Sequence, residues 1–225
     1  FSGIFIYLLV GQPSRFSLMS KRFDTETTIE KKTLDSSDIH SLDIDWDAGQ
    51  IRILPTTGQD IIITQSSYYQ VEPFQSSIQG DILEIHQVDS DFHIFPFSRF
   101  HSSNLMIEIP PMYLETFQLS LTSGSCDGQN VAAEHLYVSI TSGRVTLNGR
   151  FQNITSELTS GNVSIETNTL PDNLSVEMTS GDMALTIPDN DDFQLKLDKT
   201  SGKFQSDFDF LVNPDQEDIY IYKSK

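Results

Sequence analysis

Thr122-Ser123-Gly124, Thr141-Ser142-Gly143, Thr159-Ser160-Gly161, Thr179-Ser180-Gly181 and Thr200-Ser201-Gly202 are five copies of one phrase, and the fold is read outward from them. Successive glycines lie 19, 18, 20 and 21 residues apart. A period of this size marks a chain built of stacked supersecondary units. The flanks repeat as well. Leu121, Ile140, Leu158 and Met178 stand three before a glycine, and Leu119, Val138, Val176 and Leu197 five before. Val145, Val163, Met183 and Phe204 stand two after it, and Leu147, Ile165 and Leu185 four after. Each arm alternates with period two, as a strand with one buried face does. The apolar residues that bracket the phrase are five apart, an odd count that a straight strand does not keep. The chain therefore turns or bulges there, and glycine suits the place because positive φ costs it no Cβ clash.

A blurred copy lies upstream. Leu42, Ile44 and Trp46 precede Gly49, and Ile51 and Ile53 follow it, at the same offsets as in the later units. The predicted turn glycines are thus Gly49, Gly124, Gly143, Gly161, Gly181 and Gly202. The 75 residues between Gly49 and Gly124 exceed one unit, and further degenerate units plus an insertion are expected inside them.

Two strands per 20 or so residues fit either a parallel β-helix or an antiparallel meander or sandwich. A meander closes each turn separately, so its turn sequences are free to drift. In a β-helix identical turns stack, and Thr-Thr and Ser-Ser hydrogen bonds and glycine columns reward repetition. Five near-identical turns favour an all-β, single-stranded parallel β-helix, right-handed by the chirality of parallel crossovers.

The pattern apolar-x-apolar-Thr-Ser-Gly-x-apolar-x-apolar resembles the β-strand-repeat family of putative adhesins. Ser41-Leu42-Asp43-Ile44-Asp45 leading into Gly49 and Ile51-Arg52-Ile53 is similar to that family's first strand, and Leu105-Met106-Ile107-Glu108-Ile109-Pro110 to its mid-domain strand. The resemblance spans roughly residues 34 to 210. It implies a bacterial envelope protein with a right-handed single-stranded β-helix, tied in some members to envelope-stress systems. It carries no catalytic residues.

Composition narrows the function classes. The chain of 225 residues has a net charge of −18 and a pI near 4.4, which disfavours nucleic acid and direct adsorption to anionic lipid. The lone Cys126 excludes an internal disulfide and, two after Gly124, reads as a small core residue. Residues 1–33 read as an apolar tail with a linker, and 34–225 as the β-helix domain with an insertion near 89–103. Gly3 to Val10, GIFIYLLV, is shorter than the ~20 residues a membrane span needs. It reads either as the end of a transmembrane helix or as a buried element of the domain. The charged run from Lys21 to Lys32 looks like a spacer and points to a membrane tether.

No chemistry-bearing constellation stands out. Lys196, Lys199 and Lys203 near Asp191, Asp192 and Asp198 read as solvated edge charge, and no aligned acidic column is evident for a polysaccharide lyase or hydrolase. His86, His93 and His101 match no compact metal motif. No cofactor, metal or catalytic residue is implied. The insertion is different. Phe95, Phe97, Arg99 and Phe100 hold more apolar surface than its irregular spacing can bury in one unit. They read either as a plug over an open part of the β-helix or as a binding loop for an envelope protein or cell-surface ligand, away from the Thr-Ser-Gly corner. The expected function is a non-enzymatic, extracytoplasmic binding or sensing protein at the cell membrane. The alternatives are a polysaccharide-active enzyme and a structural spacer.

Overall fold

The computed structural model describes residues 22–88, 102–188, 193–196, 211–212 and 219–222. Among them the chain is all-β, with no helix. In chain order the strands are β1 (Arg22–Asp35), β2 (Ser41–Pro55), β3 (Asp60–Tyr69), β4 (Gln75–Gln79), β5 (Ile82–His86), β6 (Asn104–Ile109) and β7 (Leu114–Ile140). They continue as β8 (Arg144–Leu158), β9 (Asn162–Thr167), β10 (Asn173–Met178), β11 (Asp182–Thr186), β12 (Phe193–Lys196), β13 (Leu211–Val212) and β14 (Ile219–Tyr222). Strands β1 to β11 form a mixed 11-stranded sheet, and β12, β14 and β13 a separate antiparallel one of three strands.

Within the array every pairing is parallel. β7 joins β2 and β8, β8 joins β9 and β10, and β9 joins β11. The result is a β-helix-like repeat, and the antiparallel meander does not describe it. Like residues stack on like: Gly49 pairs with Gly124, Ile44 with Leu119, Val145 with Val163 and Met183 with Val163. The odd spacing across the phrase is kept, since Leu121 and Cys126, Ile140 and Val145, and Leu158 and Val163 are all buried. Trp46, Phe117 and Phe151 are the largest fully buried side chains. Phe151 sits opposite Ala133, so a large side chain is matched by a small one on the neighbouring strand. Burial pushes the Cys126 thiol well above its ordinary pKa, in keeping with a core role.

The corners stack through the main chain. Thr141 and Ser142 N–H donate to the carbonyls of Leu121 and Thr122, and Thr159 and Ser160 N–H to those of Ile140 and Thr141. The expected Thr-Thr and Ser-Ser bonds do not form among the described corners; the Thr122 hydroxyl instead donates to Asp47 Oδ1 at 3.1 Å. At Gly124 φ is +127°, and a Cβ there would overlap the carbonyl of Gly49; at Gly161 φ is +133°, and a Cβ would overlap that of Gly143. Gly202 lies outside the described residues. A second bend, which the phrase does not signal, lies between Gly128 and Val131, where the register shifts and Asn130 adopts φ +54°.

The stacking order is not the chain order. The unit at 41–55 lies directly on the unit at 114–128. The intervening unit, β5 with β6, lies on the other side of β2, paired parallel to it through Leu42 to Leu83 and Ile53 to Ile107. Antiparallel strands close this end: β4 on β5, β3 on β6 and β1 on β3.

Two expectations are corrected here. The charged run from Lys21 to Lys32 is no spacer over most of its length, because Thr27, Thr28, Ile29 and Thr33 are β-branched and their strand pairs with β3. The one buried face that the alternation predicts is also not kept in β10. Leu174, Val176 and Met178 of β10 are 41, 38 and 47% exposed, although their partners Ile154, Ser156 and Leu158 are buried. Residues 1–11, read as a membrane tail, lie outside the described residues.

Candidate functional site

The unit formed by β5 and β6 has no Thr-Ser-Gly phrase; residues 89–101, outside the described residues, come in the sequence where that phrase would stand. Its roots are Gln87–Val88 and Ser102–Ser103. A Cβ on Gly49 would run into the Ser103 carbonyl, so Ser103 occupies the next place in the glycine column. The roots of the aromatic segment are therefore on the corner.

A buried polar knot holds both roots. Trp46 Nε1–H donates to the Ser103 carbonyl at 2.9 Å, and the Ser103 N–H donates to the Ala48 carbonyl at 3.2 Å. The Ser103 hydroxyl oxygen accepts from Gln65 Nε2 and Gln87 Nε2, each at 3.1 Å. Gln87 Oε1 accepts from the Asp47 and Ala48 N–H groups at 2.9 Å, replacing the main-chain bonds that a phrase would make. Gln65 is fully buried; its Oε1 accepts from the Phe74 N–H at 2.8 Å and its Nε2 also reaches the Glu72 carbonyl at 3.2 Å. The Ser67 hydroxyl donates to the Ser102 carbonyl at 3.1 Å. Buried amides cost free energy unless bonded, and this cluster satisfies each of them. Outside it, Ser66 and Asn104 both donate to Glu26, whose carboxyl is held below its ordinary range by the Ser66 bond first and the Asn104 bond second.

Beside the roots lies an acidic face that the sequence did not disclose. Asp43 is in register with Glu84, and Asp45 with His86. Burial raises the Asp43 pKa, with Asp45 and Glu84 adding to the rise and His86 opposing it. Glu84 Oε2 accepts from Ser77 Oγ at 2.7 Å and Gln79 Nε2 at 2.9 Å, and His86 Nε2 stands 3.8 Å from it. Pairing of β2 with β5 creates this column, and no phrase marks β5, so the alignment was invisible. Among the described residues no three such groups converge as metal ligands do.

Three more features sit on the surface of the array. His135 and Tyr137 stack with ring centroids 6.3 Å apart, and Arg150 lies 4.6 Å over the Tyr113 ring. A shallow groove of about 250 Å³ runs across three rungs, past Arg144, Thr146, Asn162, Ser164 and Asp182. Of the predicted binding residues, Phe95, Phe97, Arg99 and Phe100 lie outside the described residues.

No curated protein matches the sequence. Among solved structures, a "putative cell adhesion protein" from Clostridium sporogenes ATCC 15579 is 12% identical, with a TM-score of 0.53, covering 73% of this chain and 100% of the other. A "putative adhesin" from Bacteroides fragilis NCTC 9343 is 14% identical over 73% of this chain and 96% of its own, with a TM-score of 0.29. A "putative lipid binding protein" from Parabacteroides distasonis ATCC 8503 is 9% identical over 74% and 98%, with a TM-score of 0.26. The first of these likenesses concerns the fold. The Toastrack DUF4097 profile matches residues 39–150 and, in a second overlapping register, residues 114–225. Together the two matches cover residues 39–225, and the chain belongs to the Toastrack DUF4097 family.

Proposed function

We propose that this is a non-enzymatic binding protein of the bacterial cell surface, an adhesin or envelope sensor, whose working loop is the aromatic insertion. The observation that carries the reading is the polar knot. It clamps Gln87 and Ser103 to a rigid stack and so presents whatever lies between them as a loop on a fixed base. In this reading Phe95, Phe97 and Phe100 supply the apolar contact and Arg99 its charged edge, which suits an envelope protein or other cell-surface ligand. The winding is right-handed and single-stranded, with rungs of about 20 residues. The apolar N-terminal segment tethers the domain to the outer face of the cell membrane. A net charge of −18 argues against nucleic acid as a partner. The fold is shared with the Clostridium sporogenes protein described as a cell adhesion protein, which agrees with this reading.

The test compares the whole protein with Phe95→Ala. The variant should melt as the parent does and should capture less envelope protein from extracts of the same organism. Earlier melting with undiminished capture would mean that the insertion plugs the fold, and the binding reading would be wrong. A second reading, a polysaccharide-active enzyme, has one observation in its favour: the carboxylates of Asp43 and Glu84 in register on one face. Turnover of acidic or neutral polysaccharides that disappears in Asp43→Asn would establish it in place of the first.

A further inference from the structure

β1 is the outermost strand at the N-terminal end of the sheet, and among the described strands its main chain pairs with β3 alone. Its side chains reach farther. Glu26 lies in the stretch between Arg22 and Thr27 where the ladder to β3 shifts register. There Glu26 Oε1 accepts from Ser66 Oγ and from Asn104 Nδ2, each at 2.6 Å. Asn104 follows Ser103, the C-terminal root of the insertion. Its Oδ1 accepts from the Gln50 N–H at 3.0 Å, one residue past Gly49. Glu26 thus spans β3 to hold β6 and, through Asn104, the corner of β2. Hydrogen bonds to a charged carboxylate are among the stronger ones.

A second line leaves β1 at Lys32. Its ammonium donates to Ser76 Oγ at 3.1 Å and lies 4.8 Å from the centroid of the Phe74 ring. Phe74 is buried, and its N–H donates to Gln65 Oε1 at 2.8 Å. Gln65 Nε2 donates to the Ser103 hydroxyl at 3.1 Å, and the Ser103 carbonyl accepts from Trp46 Nε1–H. Two lines that start on one edge strand therefore end at the same place, Ser103 and Asn104.

An edge strand with one neighbour opens more readily than the stack beneath it, so β1 has a docked and an undocked state. Undocking breaks the Glu26 bonds to Ser66 and Asn104. It also takes Lys32 off Phe74, whose N–H fixes the Gln65 amide. We propose that β1 is a latch on the C-terminal root of the insertion: docked, it holds Ser103 and Asn104 on the corner, and undocked, it releases them. The strand is the two-state element that such coupling requires. Coupling of this kind is reciprocal, so a change at the root also shifts the docking of β1. The latch stands whether or not the insertion takes a ligand, because every contact in it lies within the domain.

The experiment is hydrogen exchange on the full chain, comparing the parent with the double variant Glu26→Ala, Lys32→Ala. The β1 amides report the strand. The Ser103 amide and the indole N–H of Trp46, the single tryptophan, report the root, and the β8 amides report the middle of the stack. The double variant should speed exchange in β1 and, by at least about fivefold, at Ser103 and Trp46, while β8 keeps the parent rate. Asn104→Ala leaves β1 itself intact and should speed exchange in β1 by at least about threefold. Faster exchange in β1 with parent rates at Ser103 and Trp46 would overturn the proposal, because the rung alone would then hold the root. Equal acceleration in β8 would overturn it too, as would parent rates in β1 for either variant.

Discussion

Gly161 and Ser156 show two opposite ways in which a single residue is fixed by its place in a stack. Gly161 must lack a side chain, because the carbonyl of Gly143 stands where its Cβ would be and its φ is +133°. Gly161→Val should cost at least about 2 kcal/mol, from backbone strain plus the displaced neighbour. Urea unfolding measures this, with Gly58→Ala as the control. A Cβ at Gly58 meets nothing closer than Thr56 Oγ1 at 3.6 Å, so that variant should stay within about 0.5 kcal/mol of the parent. Ser156 has the reverse problem. It faces inward between Val138 and Val176, and its hydroxyl is buried with no hydrogen-bond partner. Ser156→Ala should therefore be neutral or stabilise by up to about 1 kcal/mol, since it removes an unmet desolvation cost. A loss of more than about 1 kcal/mol would mean that the hydroxyl is in fact bonded.

Among the elements, the pairing of β2 with β5 has a consequence that depends on pH. Asp43 has its pKa raised by burial first, and by Asp45 and Glu84 after the opposing effect of His86. A carboxyl with a raised folded-state pKa holds its proton more tightly folded than unfolded. Its stabilising contribution is full below the unfolded value and is lost as pH rises through the folded one. The parent should lose stability relative to Asp43→Asn as pH climbs through the carboxylate range. Parallel melting curves of the two proteins across that range would count against the assignment. The difference between the proteins is the quantity to read, because Glu26 is shifted the other way. The same strand pair shows where sequence reading stopped. The turns were legible because the phrase is explicit and its apolar offsets are regular. β5 and β6 were legible as strands, and a degenerate unit was expected between Gly49 and Gly124, but its place in the stack was not legible, because no phrase marks it and Gln87 and Ser103 take over the hydrogen bonds of one. The edge role of β1 was hidden by its charge, which on a largely exposed edge strand does not signal a linker.

For the molecule as a whole, stability should decline from the middle of the stack toward its N-terminal edge. β2 has neighbours on both sides over each of its arms, β5 and β6 on one and β7 on the other, whereas among the described strands β1 forms main-chain pairs with β3 alone. Hydrogen exchange should accordingly be slowest in β2 and β7 and fastest in β1. Equal protection in β1 and β2 would show that the stack opens only as one unit.

The nested order of the rungs also sets a schedule for synthesis. When residue 55 has been added, β2 exists but neither of its parallel neighbours does; β5 and β6 follow by residue 109, and the facing part of β7 only by residue 128. At a ribosome's pace of about 5–20 residues per second, those 73 residues take roughly 4 to 15 s. A strand carrying Leu42, Ile44, Trp46, Ile51 and Ile53 has two bare edges at the start of that interval and keeps one bare edge until its end. The nascent chain is thus most open to wrong partners early, and a pause in translation shortly after residue 55 would lengthen the hazard, whereas one after residue 128 would come too late to matter.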